Sequence, residues 1–128
     1  MQEYLPVRYQ SEEYMDMSEE RIVICGANAY EQKYYFNEEK FGKLPQSVKD
    51  ELHVICVLFT EEVGGIITII VEPDGGISFE TQSSDDDIYY DDISSGLLIN
   101  KIRMNRQELL ESVSLFYRVF YLHEKFDV

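Results

Sequence analysis

The sequence lacks basic residues over a long central window: the 51 residues from Asp50 to Asn100 include no Lys or Arg. The same window holds twelve of the chain's 25 acidic residues, and the formal net charge of the whole chain is −14 at pH 7. This negative charge disfavours binding to nucleic acids and to anionic membranes, because both would repel it. The same charge would attract a basic protein surface and speed association with it.

Several residue types are also scarce. The 128 residues include no Trp, only three Pro and only two Cys. Two cysteines cannot form the multiple-disulfide framework of a small secreted domain, and Cys25 and Cys56 each lie in an apolar run that predicts buried, reduced thiols. The acidic N-terminus does not resemble a signal peptide, and no apolar run approaches the length of a membrane span. We therefore expect a cytoplasmic protein that does not bind membranes.

The length and composition predict one folded domain over residues 1–128. Hydrophobic residues make up 45% of the chain and charged residues 28%, which is typical of a globular protein. Residues 1–19 are polar and acidic, so a loose N-terminal arm is one interpretation of that segment.

Two β-hairpins are predicted, at about 20–36 and 66–82. In the first, the β-branched run that begins at Arg21 predicts a strand, and a turn near Asn28 leads to a returning strand that ends at Phe36. A short helix capped by Asn28 is the alternative over residues 28–37, because Glu31 follows at capping-box spacing. In the second, two strands flank Pro73-Asp74-Gly75-Gly76, a typical turn sequence.

Helical periodicity is clearest over residues 46–63. Apolar residues recur at steps of four, three, four and four, at Val48, Leu52, Ile55, Phe59 and Val63. Ser47 is the expected N-cap, and Gly64 is the expected C-terminal stop. Two further helices are predicted after Asp91. Ile93 and Leu97 share a face of the first helix, and Asn105 is the expected start of the second.

These elements predict an α+β fold. Because hairpins require antiparallel pairing, we expect a four-stranded antiparallel sheet, with the central helix and the two C-terminal helices packed on one face. The other face would be exposed to solvent or used for association. Aromatic residues on that outer face would favour a homo-oligomer.

Two groups of acids in the basic-free window are candidate binding residues. Glu61 and Glu62 fall in the last turn of the central helix, where the helix dipole disfavours negative charge. A cationic group on a partner would compensate that cost. Five aspartates occupy the connection to the next helix, at Asp85, Asp86, Asp87, Asp91 and Asp92.

We predict no metal site, no cofactor and no catalytic residues. The aspartates lack the ligand spacing of an EF-hand loop, so a solvated acidic turn is the simpler interpretation. Asp91 or Asp92 would also stabilise a helix N-terminus. Cys56 and His53 lie three residues apart on one helix, a spacing at which His can activate a thiolate. The apolar neighbours of Cys56 argue against that role, since they favour the neutral thiol.

Two segments, Cys25–Asn37 and Cys56–Gly65, resemble a family of small clostridial-type bacterial proteins that is a domain of unknown function. The resemblance covers roughly residues 20 to 122. It implies a bacterial cytoplasmic protein and brings no known activity or site residues.

The first functional hypothesis is a non-enzymatic interaction or regulatory module that binds a basic protein surface. The alternative is a small enzyme or ligand-binding domain with a pocket between the sheet and the helices. A third hypothesis is a homodimer whose acidity keeps it soluble.

Overall fold

The computed structural model describes residues 20–123, which form two β-hairpins and four helices. In chain order the elements are β1 (Ile22–Asn28), β2 (Lys33–Phe36), α1 (Glu38–Phe41), α2 (Gln46–Glu62), β3 (Ile66–Val71), β4 (Ile77–Gln82), α3 (Asp92–Asn105) and α4 (Gln107–Phe120). The predicted α+β fold, with its antiparallel sheet, central helix and two C-terminal helices, is confirmed. The predicted N-terminal arm, residues 1–19, lies outside the described residues.

The sheet has the strand order β2-β1-β3-β4, and every neighbouring pair is antiparallel. The two central strands are β1 and β3, in which Cys25 lies opposite Ile69 and Ala27 lies opposite Ile67. All four of these residues are buried. The two hairpins thus join through their first strands, which carry many β-branched residues suited to a sheet interior.

A register shift in β1 allows consecutive residues of that strand to be buried. Val23 pairs with Ile70 and Cys25 pairs with Ile69, so Ile24 is the extra residue of a β-bulge. Ile24 and Cys25 are both fully buried, whereas regular alternation would expose one of them. The bulge therefore adds one more apolar side chain to the core.

The helices pack on the sheet around one hydrophobic core. Helix α2 contacts β1, β2 and β3, and α4 contacts both α2 and α3. Fully buried side chains come from the strands, from α2 and from α4, and include Ile24, Leu52, Phe59, Ile67 and Val113. These side chains form a single cluster that joins the sheet to the helices.

A cluster of charged side chains ties the start of β1 to the second hairpin. Arg21 donates hydrogen bonds of 2.8 Å from both Nε and Nη2 to the two carboxylate oxygens of Glu72. The same Nη2 lies 2.7 Å from Glu80 Oε2. Arg21 lowers the pKa of Glu72 to about 2, with a further contribution from Ser78. These contacts compensate two acids of the basic-free window.

The turn after β1 confirms the hairpin and not the helix over residues 28–37. Asn28 Oδ1 accepts hydrogen bonds from the backbone N–H groups of Tyr30 and Glu31, at 2.9 and 3.1 Å. These are the bonds of a capped helical turn, but Gln32 then adopts a φ of 55°. A left-handed residue ends the turn, and the chain returns as β2.

Three details at the helix ends differ from the sequence prediction. Helix α2 begins after Pro45, and no side chain caps it, so the predicted Ser47 cap is wrong. Helix α4 begins at Gln107 after Arg106, two residues beyond the predicted start. The four-residue helix α1 was not predicted, although Asn37 Oδ1 caps it by accepting from the N–H of Lys40.

Candidate functional site on the acidic surface

The β1–β2 turn is fixed to the end of α2 by the backbone. The N–H of Ala29 donates a hydrogen bond of 2.8 Å to the carbonyl of Gly65, which follows the helix. Gly64 and Gly65 have φ values of 84° and 71°, so α2 ends in left-handed residues as the sequence predicted. This bond places the turn beside the last residues of α2, which include Glu61 and Glu62.

The same turn also holds the acidic connection, residues 83–91, from its other side. Tyr30 Oη donates a hydrogen bond of 2.6 Å to Asp87 Oδ2 and accepts one of 2.9 Å from the N–H of Ser84. The bond to Asp87 raises the pKa of Tyr30, so the phenol remains a donor above its ordinary titration range. One tyrosine therefore fixes the position of the acidic connection on the first hairpin.

Hydrogen bonds within the acidic connection order it further. Asp87 Oδ1 accepts from the N–H of Tyr89 at 3.1 Å, and Asp86 accepts from the Ser84 hydroxyl. Asp91 caps α3 by accepting from the N–H of Ile93 at 3.0 Å and from the Ser94 hydroxyl at 2.8 Å. These bonds lower the pKa of Asp91, the Ser94 contact most of all. Asp91 therefore has the local role in starting a helix that the sequence suggested for Asp91 or Asp92.

Tyr90 anchors the end of the connection against α3 and Gly65. Its hydroxyl donates to Ser95 Oγ at 2.8 Å, and Ser95 is buried. Its ring lies so close to Gly65 that a Cβ at that position would be 2.6 Å from a ring carbon. Glycine is therefore required at position 65 both by its φ and by the packing of Tyr90.

Each predicted group of acids has one member beside the β1–β2 turn. Glu61 lines a surface groove of about 460 Å³ between α2 and the β1–β2 hairpin, and Glu62 is the exposed last residue of α2. Asp87 is held by Tyr30 of that turn, while Asp85, Asp86, Asp91 and Asp92 are exposed along the connection and at the start of α3. We call this set the acidic surface, and its members are Glu61, Glu62, Asp85, Asp86, Asp87, Asp91 and Asp92.

The acids on the acidic surface differ in what they contact. Asp87 and Asp91 accept hydrogen bonds from backbone N–H groups and hydroxyls, which ties them to local structure. Ion pairs between described residues occur elsewhere, at Glu31, Glu38, Glu51, Glu72 and Glu80. Within residues 20–123 no group of three or more His, Cys, Asp or Glu side chains is arranged to hold a metal ion.

Cys56 and His53, the candidate catalytic pair, each contact a different residue. Cys56 Sγ lies 3.8 Å from Cys25 Sγ, and both thiols are fully buried. The Cys25 thiol and burial raise the pKa of Cys56 far above its usual range. His53 instead stacks on the Tyr34 ring, with centroids 4.0 Å apart. Because nucleophilic attack requires a thiolate, this environment disfavours reaction at Cys56.

An exposed apolar row on α3 was missed in the sequence. Ile93, Leu97 and Met104 are 75%, 64% and 77% exposed, and Ile88 and Tyr89 in the acidic connection are 82% and 88% exposed. Ile93 and Leu97 supported the helix prediction, but the face they share points to solvent. The sequence signal for their exposure is that Ile88, Tyr89 and Ile93 alternate with Asp85–Asp87, Asp91 and Asp92, which favour contact with solvent.

The fold and this surface define a class of protein, an α+β domain with a four-stranded antiparallel sheet and an ordered acidic connection. The chain belongs to DUF6145, a family of unknown function, which it matches over residues 21–125. Comparisons with curated proteins and with solved structures each gave no match. No helix within residues 20–123 is long and apolar enough to cross a membrane.

Proposed function

We propose that this protein is a non-enzymatic interaction or regulatory module that binds a basic protein surface through its acidic surface. The observation that carries the proposal is the double attachment of the β1–β2 turn. The turn bonds to Gly65 beside Glu61 and Glu62, and through Tyr30 to Asp87. The end of α2 and Asp87 thus meet at one turn, which supports a shared binding surface for the acids near them.

Electrostatics supports a cationic partner. Glu61 and Glu62 lie in the last turn of α2, which contains no basic residue, so the dipole and the neighbouring carboxylates act against them. A Lys or Arg side chain from a partner would relieve this repulsion. Association driven by such charges is fast and weakens as salt increases. The bacterial, cytoplasmic setting implied by the family resemblance is part of this proposal.

The test compares two variants that lose equal charge. The site variant carries E61Q, E62Q, D85N and D86N, and it keeps Asp87 and Asp91, whose carboxylates accept from backbone N–H groups. The control variant removes four exposed acids from elsewhere, by E20Q, E39Q, E108Q and E111Q. Each protein is used to capture partners from bacterial lysate at low and high salt, and the captured proteins are identified by mass spectrometry.

We expect a specific basic partner that is captured by the wild type and the control variant at low salt, and that is lost with the site variant. Capture of the same partner by the site variant would contradict the proposal. So would equal loss with both variants, because it would show that only net charge matters. Recovery of no specific partner at either salt concentration would also reject the proposal.

Ligand binding is the second candidate function, and one groove favours it. The groove between α2 and the first hairpin is lined by groups of both charges, Lys33 and Glu61, and by the rings of His53 and Tyr34. Such convergent polar groups beside an aromatic ring suit a small zwitterionic or polar ligand. A screen of metabolites by thermal shift, followed by NMR mapping, would support this function if the perturbed signals belonged to Tyr34 and His53.

A further inference from the structure

The exposed row on α3 forms one narrow face of that helix. Leu97 follows Ile93 by four residues and Met104 follows Leu97 by seven, spacings that place all three within about 40° of the helix circumference. The row extends over about 16 Å, at a rise of about 1.5 Å per residue. The opposite side of α3 is already used, since Leu98, Ile99 and Ile102 pack against the core.

A groove runs beside this row and gives access to the helix backbone. It has a volume of about 480 Å³ and lies between α3 and β4, lined by Phe79, Thr81, Ile93 and Leu97. Gly96 also lines it, and the space where its Cβ would be contains no atom within 4 Å. A partner's side chains could therefore pack both on the row and into the groove.

Charge around the row is asymmetric and indicates which partner fits. Asp91 and Asp92 lie at its N-terminal end, and Asp85 and Asp86 lie in the connection that precedes it. Lys101 and Arg103 lie towards its C-terminal end. Arg103 is engaged by the protein itself, because it donates to the carbonyl of Ile77 at 3.0 Å and lies over the Phe79 ring.

We propose that the α3 row is the docking site for an amphipathic basic helix of a partner protein. This inference rests on the proposed function and makes it specific. The apolar side of the partner helix would cover Ile93, Leu97 and Met104. In this mode of recognition an amphipathic helix buries apolar residues that recur every three or four positions along one of its faces. Lys or Arg residues of the partner helix would meet the aspartates at the N-terminal end of α3. Its less basic end would lie near Lys101.

Charge also decides between this partner and a second copy of the chain. Two copies would each bring a net charge of −14, which opposes their association. A basic helix instead gains from that charge. A basic amphipathic helix is therefore the occupant that matches both the apolar row and the acids around it.

Two synthetic peptides test the inference with the full-length chain. Both have about 18 residues, or five helical turns, with identical Leu and Lys content. In the first, Leu recurs at helical spacing, and in the second the order is scrambled so that no apolar face forms. Binding is measured by fluorescence anisotropy. We expect the amphipathic peptide to bind about tenfold more tightly than the scrambled peptide, because only it can cover the row.

Matched variants locate the binding face. L97S/M104S should weaken binding of the amphipathic peptide by about tenfold. V54S/L58S removes two apolar residues from the exposed side of α2, where they are 45% and 53% exposed, and should leave the affinity unchanged. K101E should strengthen binding, since it replaces the cation that opposes a basic helix.

The outcomes separate this inference from the proposed function. Equal binding of both peptides, reduced by E61Q/E62Q/D85N/D86N, would overturn the docking inference and leave the acidic surface as a binding surface. Equal effects of L97S/M104S and V54S/L58S would also overturn it. A doubling of mass in light scattering that L97S/M104S abolishes would assign the row to a second copy instead. Failure of the wild type to bind either peptide would reject the inference, and lysate capture would decide the proposed function separately.

Discussion

The Tyr30 hydroxyl donates a hydrogen bond of 2.6 Å to the Asp87 carboxylate, 57 residues further along the chain. The same oxygen accepts from the N–H of Ser84. Both of these hydrogen bonds between the β1–β2 turn and the acidic connection therefore depend on one phenol. Tyr30 itself is 45% exposed, so this contact contributes more to the order of the connection than to the core.

Tyr30→Phe should loosen the acidic connection and leave the fold intact. The substitution removes both hydrogen bonds and keeps the ring, so we expect faster amide exchange at Ser84 and Tyr89 with unchanged protection in β1 and β3. Tyr35→Phe, at another exposed tyrosine, is the control. Because the pKa of Tyr30 is raised, the wild-type connection should stay ordered to above pH 10 and lose order as pH rises further. Unchanged exchange in Tyr30→Phe would show that other contacts hold the connection.

Gly64→Ala and Gly65→Ala should differ in their effects on stability. Both residues have positive φ, which costs an alanine about 1–2 kcal/mol. A Cβ at Gly64 would meet no atom within 4 Å, whereas one at Gly65 would lie 2.6 Å from the Gln82 carbonyl oxygen and from the Tyr90 ring. We therefore expect Gly65→Ala to lose about 1–3 kcal/mol more than Gly64→Ala. Urea unfolding of the two variants measures the difference, and equal losses would contradict the predicted clash.

The Arg21–Glu72 pair should make stability depend on pH in the acid range. The pKa of Glu72 in the folded protein is about 2, below its value of about 4.3 in an unfolded chain. Its contribution is therefore complete above pH about 4.3 and is lost as the pH falls towards 2. Glu72→Gln should be less stable than the wild type at pH 7, and the difference should disappear near pH 2. Glu39→Gln controls for the loss of one charge, and a difference that persisted at pH 2 would contradict the ion-pair explanation.

The two thiols should be inert in the folded protein. Cys25 and Cys56 are fully buried with their sulfurs 3.8 Å apart, and the pKa of Cys56 is strongly raised. We expect an alkylating reagent to modify neither cysteine until the protein is unfolded in urea, as followed by mass spectrometry. Cys56→Ala should cost about 1 kcal/mol, from the loss of one buried heavy atom. Rapid alkylation of the native protein would show that these thiols are accessible.

The sequence predicted most elements because their periodicity is local. The apolar steps from Val48 to Val63 predict α2, and the glycines at its end were correctly placed as its stop. The second hairpin was also predicted, since Pro73 and Gly75 suit only a tight turn there. Details that depend on neighbouring side chains differ from the prediction. Ser47 does not cap α2, and the short helix α1 was missed because four residues carry too little periodic signal.

The sequence indicated which residues are candidates for the site but not how they are arranged in space. Glu61, Glu62 and the five aspartates were all identified from charge. The bonds of Ala29 to Gly65 and of Tyr30 to Asp87 join residues far apart in the chain, and they bring the end of α2 and Asp87 to the same turn. Ile93 and Leu97 show the same limit. Their spacing indicates a helix but cannot indicate whether that face meets the core or solvent.

The sequence by itself determined the negative charge of this protein, its α+β class and its main helices and hairpins. These properties follow from composition and from spacing along a few residues, which the chain contains without reference to its fold. The tertiary structure decided the strand order, the bulge at Ile24, the contact between the two free thiols and the exposed row on α3. Each of these depends on contacts between distant segments, and their free energies are settled only when the core packs.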